Sequence, residues 1–165
     1  MIIRPVTPAD LAAIASLESV CFPGDPWSEK LFRETMEQDG TVFLTAEEGA
    51  GCDADSGAEA LSGEKPVAGY CVLHTVLEEG SIDNICVAQA YRRKGVARLL
   101  LAEAMCRAQD EYGAKSFTLE VRASNAQARA LYEGLGFANE GVRPGYYEKP
   151  REDAVIYRKR SEKGK

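Results

Sequence analysis

The sequence contains one histidine, His74, and one tryptophan, Trp27. A single histidine excludes a histidine-rich metal site. His74 lies in a strand-like run with no nucleophile elbow beside it, so a Ser-His-Asp triad is set aside too. Cysteine is scarce and unpatterned: the five are Cys21, Cys52, Cys71, Cys86 and Cys106, and no two form a C-x-x-C motif. Three of them sit in apolar contexts, which predicts small buried hydrophobes in a reduced, cytoplasmic protein. No apolar run approaches the roughly 20 residues of a membrane span. Met1-Ile2-Ile3-Arg4-Pro5 lacks the form of a signal peptide. Positive charge is also short: 20 Lys and Arg stand against 26 Asp and Glu, a net charge of −6. That balance argues against a nucleic-acid partner and suits a cationic acceptor.

What is present is enough for one globular domain. The chain has 165 residues, 45% hydrophobic and 28% charged, a mixture that can build a core. Ile2 and Ile3 open a short strand. Thr7-Pro8-Ala9-Asp10 reads as a helix start, with Thr7 as N-cap, Pro8 at the first helical position and Asp10 in an imperfect capping box. Leu11, Ile14, Leu17, Glu18 and Val20 continue that helix, which must end before Pro23. Ser28 caps a second helix whose apolar face is Leu31, Phe32, Thr35 and Met36. Strands are predicted over 41–46, 67–77 and 81–87, forming an antiparallel meander. Between the first two, residues 47–65 are small, acidic and Gly-rich, the composition of a flexible insert. A long helix runs from Val96 to about Tyr112 with Gly113 as its C-cap. Ser116 to Arg122 alternates as a strand, Ser124 caps a short helix over 125–133, and two further strands follow. The basic tail from Arg158 is expected to fray. The fold class is α+β, with a mixed, mostly antiparallel central sheet flanked by helices.

The chemistry concentrates in three places. Tyr91-Arg92-Arg93-Lys94-Gly95 joins a strand to the long helix. A glycine there lets a ligand approach the backbone, and the helix N-terminus offers free amides and a positive dipole end. Three basic side chains add charge, so the segment reads either as a diphosphate site or as a solvated basic turn. Glu120, inside the alternating strand, reads by itself as a solvent-facing carboxylate or a partner of Arg122. Tyr132 and Asn125 share one face of the following helix, where a tyrosine commonly only packs. Tyr146 and Tyr147 read by themselves as two half-buried rings in a loop. Glu148, Glu152 and Asp153 lie near them and suggest an acidic groove.

The run Ile85-Cys86-Val87, then Arg92-Arg93-Lys94-Gly95-Val96-Ala97, resembles the acetyl-CoA motif [QR]-x-x-G-x-[GA] of the GNAT acetyltransferases. Arg92, Gly95 and Ala97 occupy its fixed positions. Leu119-Glu120-Val121-Arg122-Ala123-Ser124-Asn125, continued by Ala130-Leu131-Tyr132-Glu133-Gly134-Leu135-Gly136-Phe137, is similar to the RimI-type branch, the N-terminal-alanine acetyltransferases, as is Gly145-Tyr146-Tyr147 followed by Glu152-Asp153-Ala154. The resemblance implies the GNAT fold, acetyl-CoA as co-substrate and no metal. It implies a diphosphate held by the loop from Arg92 to Ala97 and by Arg98, and a pantetheine arm along Ile85, Cys86 and Val87 and bonded by Asn125. It makes Glu120 the general base acting through water, Tyr132 the acid that protonates the departing thiolate, and Trp27, Tyr146 and Tyr147 the acceptor site. The implied partner is a protein N-terminus, that of the basic small-subunit ribosomal protein eighteen, with neither nucleic acid nor membrane involved. A GNAT for small amines, or a CoA-binding module without catalysis, are the alternatives.

Overall fold

The computed structural model describes residues 1–49 and 66–162. The expected flexible insert therefore falls, from residue 50 onward, outside the described residues, as does Cys52. The elements are β1 (Ile2–Pro5), α1 (Leu11–Cys21), α2 (Glu29–Met36), β2 (Thr41–Glu47), β3 (Val67–Val76), β4 (Glu79–Val87), α3 (Val96–Tyr112), β5 (Ser116–Arg122), α4 (Ala126–Gly134), β6 (Ala138–Glu148) and β7 (Arg151–Arg160), with 3₁₀ turns at Pro8–Asp10 and Gln89–Tyr91. The seven strands form one sheet in the order β1-β2-β3-β4-β5-β7-β6. Neighbours are antiparallel except β4 and β5, which run parallel. Element order and fold class agree with the sequence reading.

Strand alternation divides the core into two clusters. Val42, Leu44 and Ala46 of β2, Cys71 and Leu73 of β3, and Phe117, Leu119 and Val121 of β5 pack with Leu100, Leu101, Ala104 and Ala108 of α3. The intervening Phe43, Tyr70 and Val72 pack with Leu11 and Ile14 of α1 and Phe32 of α2. Each fully buried Leu, Ile or Phe stabilises the fold by about 1.5–3 kcal/mol. The helix α3 starts and stops where Gly95 and Gly113 predict, both in left-handed conformation at φ 79° and 70°. Ser28 caps α2 by accepting from the Leu31 amide at 3.1 Å. Leu31 itself is exposed, and the buried side chains of α2 are Phe32 and Thr35.

Four local expectations are corrected. The cap of α4 is Asn125, whose side chain accepts from Ala128 N at 3.1 Å. Ser124 instead donates its amide to Glu152 Oε2 at 2.6 Å. Tyr146 and Tyr147 lie on β6, in a stretch where the pairing with β7 shifts register between Arg143 and Tyr147. Residues 158–160 are strand, not tail: Arg160 pairs with Ser116 in β5. Finally, Cys21 and Cys86 are joined by a disulfide across a sequence separation of 65. The end of α1 is packed against β4, a proximity that no local pattern reveals. Cys71 is free and buried, and Cys106 is free and exposed.

Candidate active site

A wedge opens between β4 and β5. They pair only at Glu79 with Ser116, Gly80 with Phe117 and Ser81 with Thr118. At this closed end Gly80 lets the sheet pack: a Cβ there would lie 2.7 Å from Phe117 Cδ1. Past it, β5 stays paired with β7 as far as Arg122, and β4 stays paired with β3 as far as Val87. Between Val72 and Leu73 of β3 the register of β4 slips, leaving Asp83 as the extra residue of a bulge. Burial raises the pKa of its carboxyl, against a hydrogen bond from Ser81 and the charge of His74. The edge of β4 that faces β5 carries main-chain donors and acceptors not used by β5, a template for an extended ligand. Ile85 and Val87 pack toward α3. The Cys86 side chain points the other way, into the disulfide, so Cys86 can offer a ligand only its backbone.

At the open end of the wedge lies the N-terminus of α3. The first helical bond there is Leu99 N to Gly95 O at 3.0 Å, so the amides of Val96, Ala97 and Arg98 precede the intrahelical ladder. Apart from Gly95 and its immediate chain neighbours, no heavy atom of the described residues lies within 4 Å of where a Gly95 Cβ would stand. Arg93 holds a positive φ of 61°, a conformation uncommon for a side-chain-bearing residue. The geometry fits a diphosphate: free amides, open space and a positive dipole end. The basic trio divides its work. Arg92 folds back on β4, its Nε donating to Val87 O at 2.9 Å. All three side chains are exposed, with Lys94 Nζ 5.6 Å from the Tyr91 ring centre. The Val96 side chain is buried. Arg98 donates to Gly134 O at 3.4 Å, linking α3 to α4.

Glu120 and Tyr132 approach the wedge from its two sides. Leu119 and Val121 belong to the α3-side cluster together with Tyr132. By alternation Glu120 points to the other face. The Tyr132 ring is 6% exposed and packs on Phe137 and Tyr157, with centroids at 5.9 and 6.2 Å. Burial raises the Tyr132 pKa, helped by Cys71 and Tyr147, so its proton stays on through neutral pH. Glu120 is partly exposed, and its Oε1 lies 3.6 Å from Arg143 Nη2.

A second cluster of side chains surrounds Glu120. Tyr146 and Tyr147 meet edge to face at 5.0 Å. The Arg122 guanidinium sits 4.2 Å from the Tyr147 ring centre, and Arg143 5.9 Å from that of Tyr146. Burial, then Tyr146, pushes the Tyr147 pKa up to about 12. The segment between α1 and α2 borders the same region: a Cβ at Gly24 would lie 3.4 Å from Lys149 O in the β6–β7 turn. Trp27 ends that segment, half-buried on Phe32 at 5.4 Å. The expected acidity of the groove is largely spent internally. Glu152 bonds Ser124 N and Arg122 Nη1, and Asp153 Oδ1 accepts from Gly145 N at 2.8 Å. Glu148 is exposed. Asn125 uses its side-chain oxygen as the α4 cap, which leaves its amide nitrogen for a ligand. Sequence reasoning missed Arg143, Asn84 and the burial of Glu18. A charge on the apolar stripe of α1 was the one available signal for the last.

The pattern described as "Acetyltransferase (GNAT) family" matches residues 11–137. An uncharacterized Mycobacterium leprae protein, ML0378, is 35% identical over 98% of this chain, which spans 41% of that protein's length. The [ribosomal protein bS18]-alanine N-acetyltransferase of Escherichia coli K12 is 35% identical over 79% of this chain and 78% of its own length. The crystal structure of the ribosomal-protein-S18-alanine N-acetyltransferase from E. coli superposes with a TM-score of 0.76 and 31% identity, covering 95% of this chain and 91% of that one. Arabidopsis thaliana NAA60 in complex with acetyl-CoA shares the fold at a TM-score of 0.80 and 19% identity, over 96% and 97% of the two chains.

Proposed function

The chain belongs to the GNAT family of acetyltransferases, and from that footing we propose that it acetylates the α-amine of a protein N-terminus, an N-terminal alanine such as that of ribosomal protein bS18 in the cytoplasm. The observation that carries this reading is the placement of Glu120 and Tyr132 on opposite sides of the β4–β5 wedge, with Tyr146 and Tyr147 beside the carboxylate.

Acetyl-CoA supplies the acetyl thioester, with a carbonyl carbon open to an amine and a thiolate that leaves. The α3 amides of Val96, Ala97 and Arg98, with Gly95 making room, would hold its diphosphate, and Arg93 and Lys94 add positive charge. Arg92 fastens this loop to the Val87 carbonyl. The edge of β4 at Ile85–Val87, apart from the Val87 carbonyl held by Arg92, would align the pantetheine arm through main-chain hydrogen bonds, and Asn125 would bond it from α4. A fixed amide of that edge polarises the thioester carbonyl.

On the opposite face Glu120 takes the proton that the ammonium must lose, directly or through one water. An α-amine has a pKa near ~8, so this transfer is feasible near neutrality. As the C–S bond breaks Tyr132 donates its hydroxyl proton to the sulfur, the nitrogen loses its second proton to solvent, and solvent returns a proton to Tyr132; burial holds the hydroxyl protonated at neutral pH before that step. Tyr146 and Tyr147 present rings and hydroxyls to an extended peptide end, and Trp27 closes the groove from the α1–α2 side.

The test is a panel of N-terminal peptides and small amines incubated with acetyl-CoA and read by product mass. An alanine-initiated peptide is expected to react fastest, on its α-amine. Faster acetylation of spermidine or an aminoglycoside than of every peptide would overturn the acceptor assignment.

A further inference from the structure

Glu18 is a carboxylate in the last turn of α1, 1% exposed. Its Oε1 accepts from the main-chain N–H of Trp27 at 3.0 Å and from Asn84 Nδ2 at 3.1 Å. Its Oε2 accepts from the Tyr70 hydroxyl. Those donors come from three separate segments: the α1–α2 connection, β4 and β3. A carboxylate at this depth is a poor core filler. Its partner Tyr70 lies in the apolar cluster with Leu11, Ile14 and Phe32, where a leucine would suit the packing better than a carboxylate. What only an acceptor can supply here is a common anchor for the Trp27 amide and the Asn84 side chain. Asn84 stands directly after the bulge residue Asp83, at the edge of the wedge. Trp27 ends the connection that reaches the β6–β7 turn.

We propose that Glu18 is a positioning residue that sets acceptor affinity by fastening the Trp27 segment to the β4 edge of the wedge. The proposal rests on the acceptor reading given above, since it takes the Trp27 segment as one wall of the groove. The second oxygen accepts from Tyr70 within the core and takes no part in the Trp27 and Asn84 contacts. The anchor acts by geometry more than by charge. A glutamine could reproduce all three contacts: its carbonyl accepts from Trp27 N and Asn84, and its NH₂ donates to the Tyr70 oxygen, which both donates and accepts. An aspartate is one methylene too short to reach all three.

The experiment compares wild type, Glu18→Asp, Glu18→Gln and Tyr70→Phe with an alanine-initiated peptide and acetyl-CoA. Glu18→Asp is expected to raise the peptide KM by about tenfold, the worth of one hydrogen bond to a charged acceptor, and to leave the acetyl-CoA KM within about twofold. Glu18→Gln should stay within about threefold of wild type in both constants. Tyr70→Phe also loses stability, yet spares the Trp27 contact and should leave the peptide KM within about twofold. Two readouts need no acceptor. Trp27 is the sole tryptophan, so its emission in Glu18→Asp should shift to the red and quench more readily with acrylamide. In the wild type, hydrogen exchange should find the Trp27 amide protected by at least about 100-fold, because it is bonded to a buried acceptor. A wild-type protein that acetylates no peptide would sink the acceptor reading while leaving these two measurements to judge the anchor. An unprotected Trp27 amide, an unchanged peptide KM in Glu18→Asp, or an equal rise in Tyr70→Phe at matched stability would each overturn the proposal.

Discussion

Tyr132→Phe is the sharpest perturbation of the proposed chemistry, because it leaves the packing of the ring in place. The ring is almost wholly buried and packs on Phe137 and Tyr157. The upward shift of its pKa comes from burial and from Cys71 and Tyr147, with no hydrogen bond contributing. Phenylalanine keeps the ring contacts and removes only a hydroxyl that makes no hydrogen bond among the described residues. The stability change should therefore stay within about 0.5 kcal/mol, a melting shift of about 1–2 °C. If that hydroxyl delivers the proton to the thiolate, kcat should fall by about 10²–10⁴-fold, the usual worth of a general acid, with little change in the acetyl-CoA KM. The neighbouring Tyr157→Phe is the matching control. Its hydroxyl donates to Glu133 at 2.7 Å and accepts from Arg129 at 3.1 Å. Losing two contacts with charged partners should cost about 2 kcal/mol, or about 4–8 °C, while turnover is largely retained. Steady-state kinetics and thermal melts on the two variants decide the matter. If Tyr132→Phe turns over like wild type, or if both variants lose activity only in proportion to stability, the assignment of Tyr132 as the acid is refuted.

Three further outcomes follow from the same geometry. Glu120→Gln should slow transfer by about 10²–10⁴-fold with acetyl-CoA affinity nearly intact, and raised pH should restore part of the rate; wild-type turnover at neutral pH would end its role as base. Gly95→Val places a β-branched residue at φ 79°, where such residues are strained by about 1–2 kcal/mol, and fills the space left for the diphosphate; calorimetry should find acetyl-CoA bound far more weakly by a folded protein. Asp10, held down to about 2 from an ordinary 3.8 chiefly by its hydrogen bond with Arg4, contributes stability that is full above pH 4 and is lost as pH falls through about 2. Asp10→Asn should therefore lower neutral-pH stability by about 1 kcal/mol, the pair being partly screened by solvent, and flatten the acid limb of a denaturation series between pH 4 and 2, whereas an unchanged acid limb would show that the Arg4 pairing carries no weight.

The amino-acid sequence alone determined whatever short-range rules govern. The bounds of α3 follow from two glycines able to take positive φ, and those of β5 from strict alternation. The α2 start follows from Ser28. The seven-strand order along the chain and the glycine-containing loop before α3 were legible for the same reason: each rests on residues within a few positions of one another. The tertiary structure decided what depends on distant partners. Glu18 reads locally as one more position on a helix stripe; only the meeting of α1 with β3 and β4 turns it into an acceptor for Tyr70 and Asn84, 52 and 66 residues away. Cys21 and Cys86 look like separate reduced thiols until the end of α1 is laid on β4. Glu120 on its strand could face water or a partner; the folding back of β6 and β7 gives it Arg143 and the paired tyrosines. The wedge itself belongs to no single segment. It exists because β4 is held by β3 and β5 by β7, while the two inner strands share only three paired positions before they diverge.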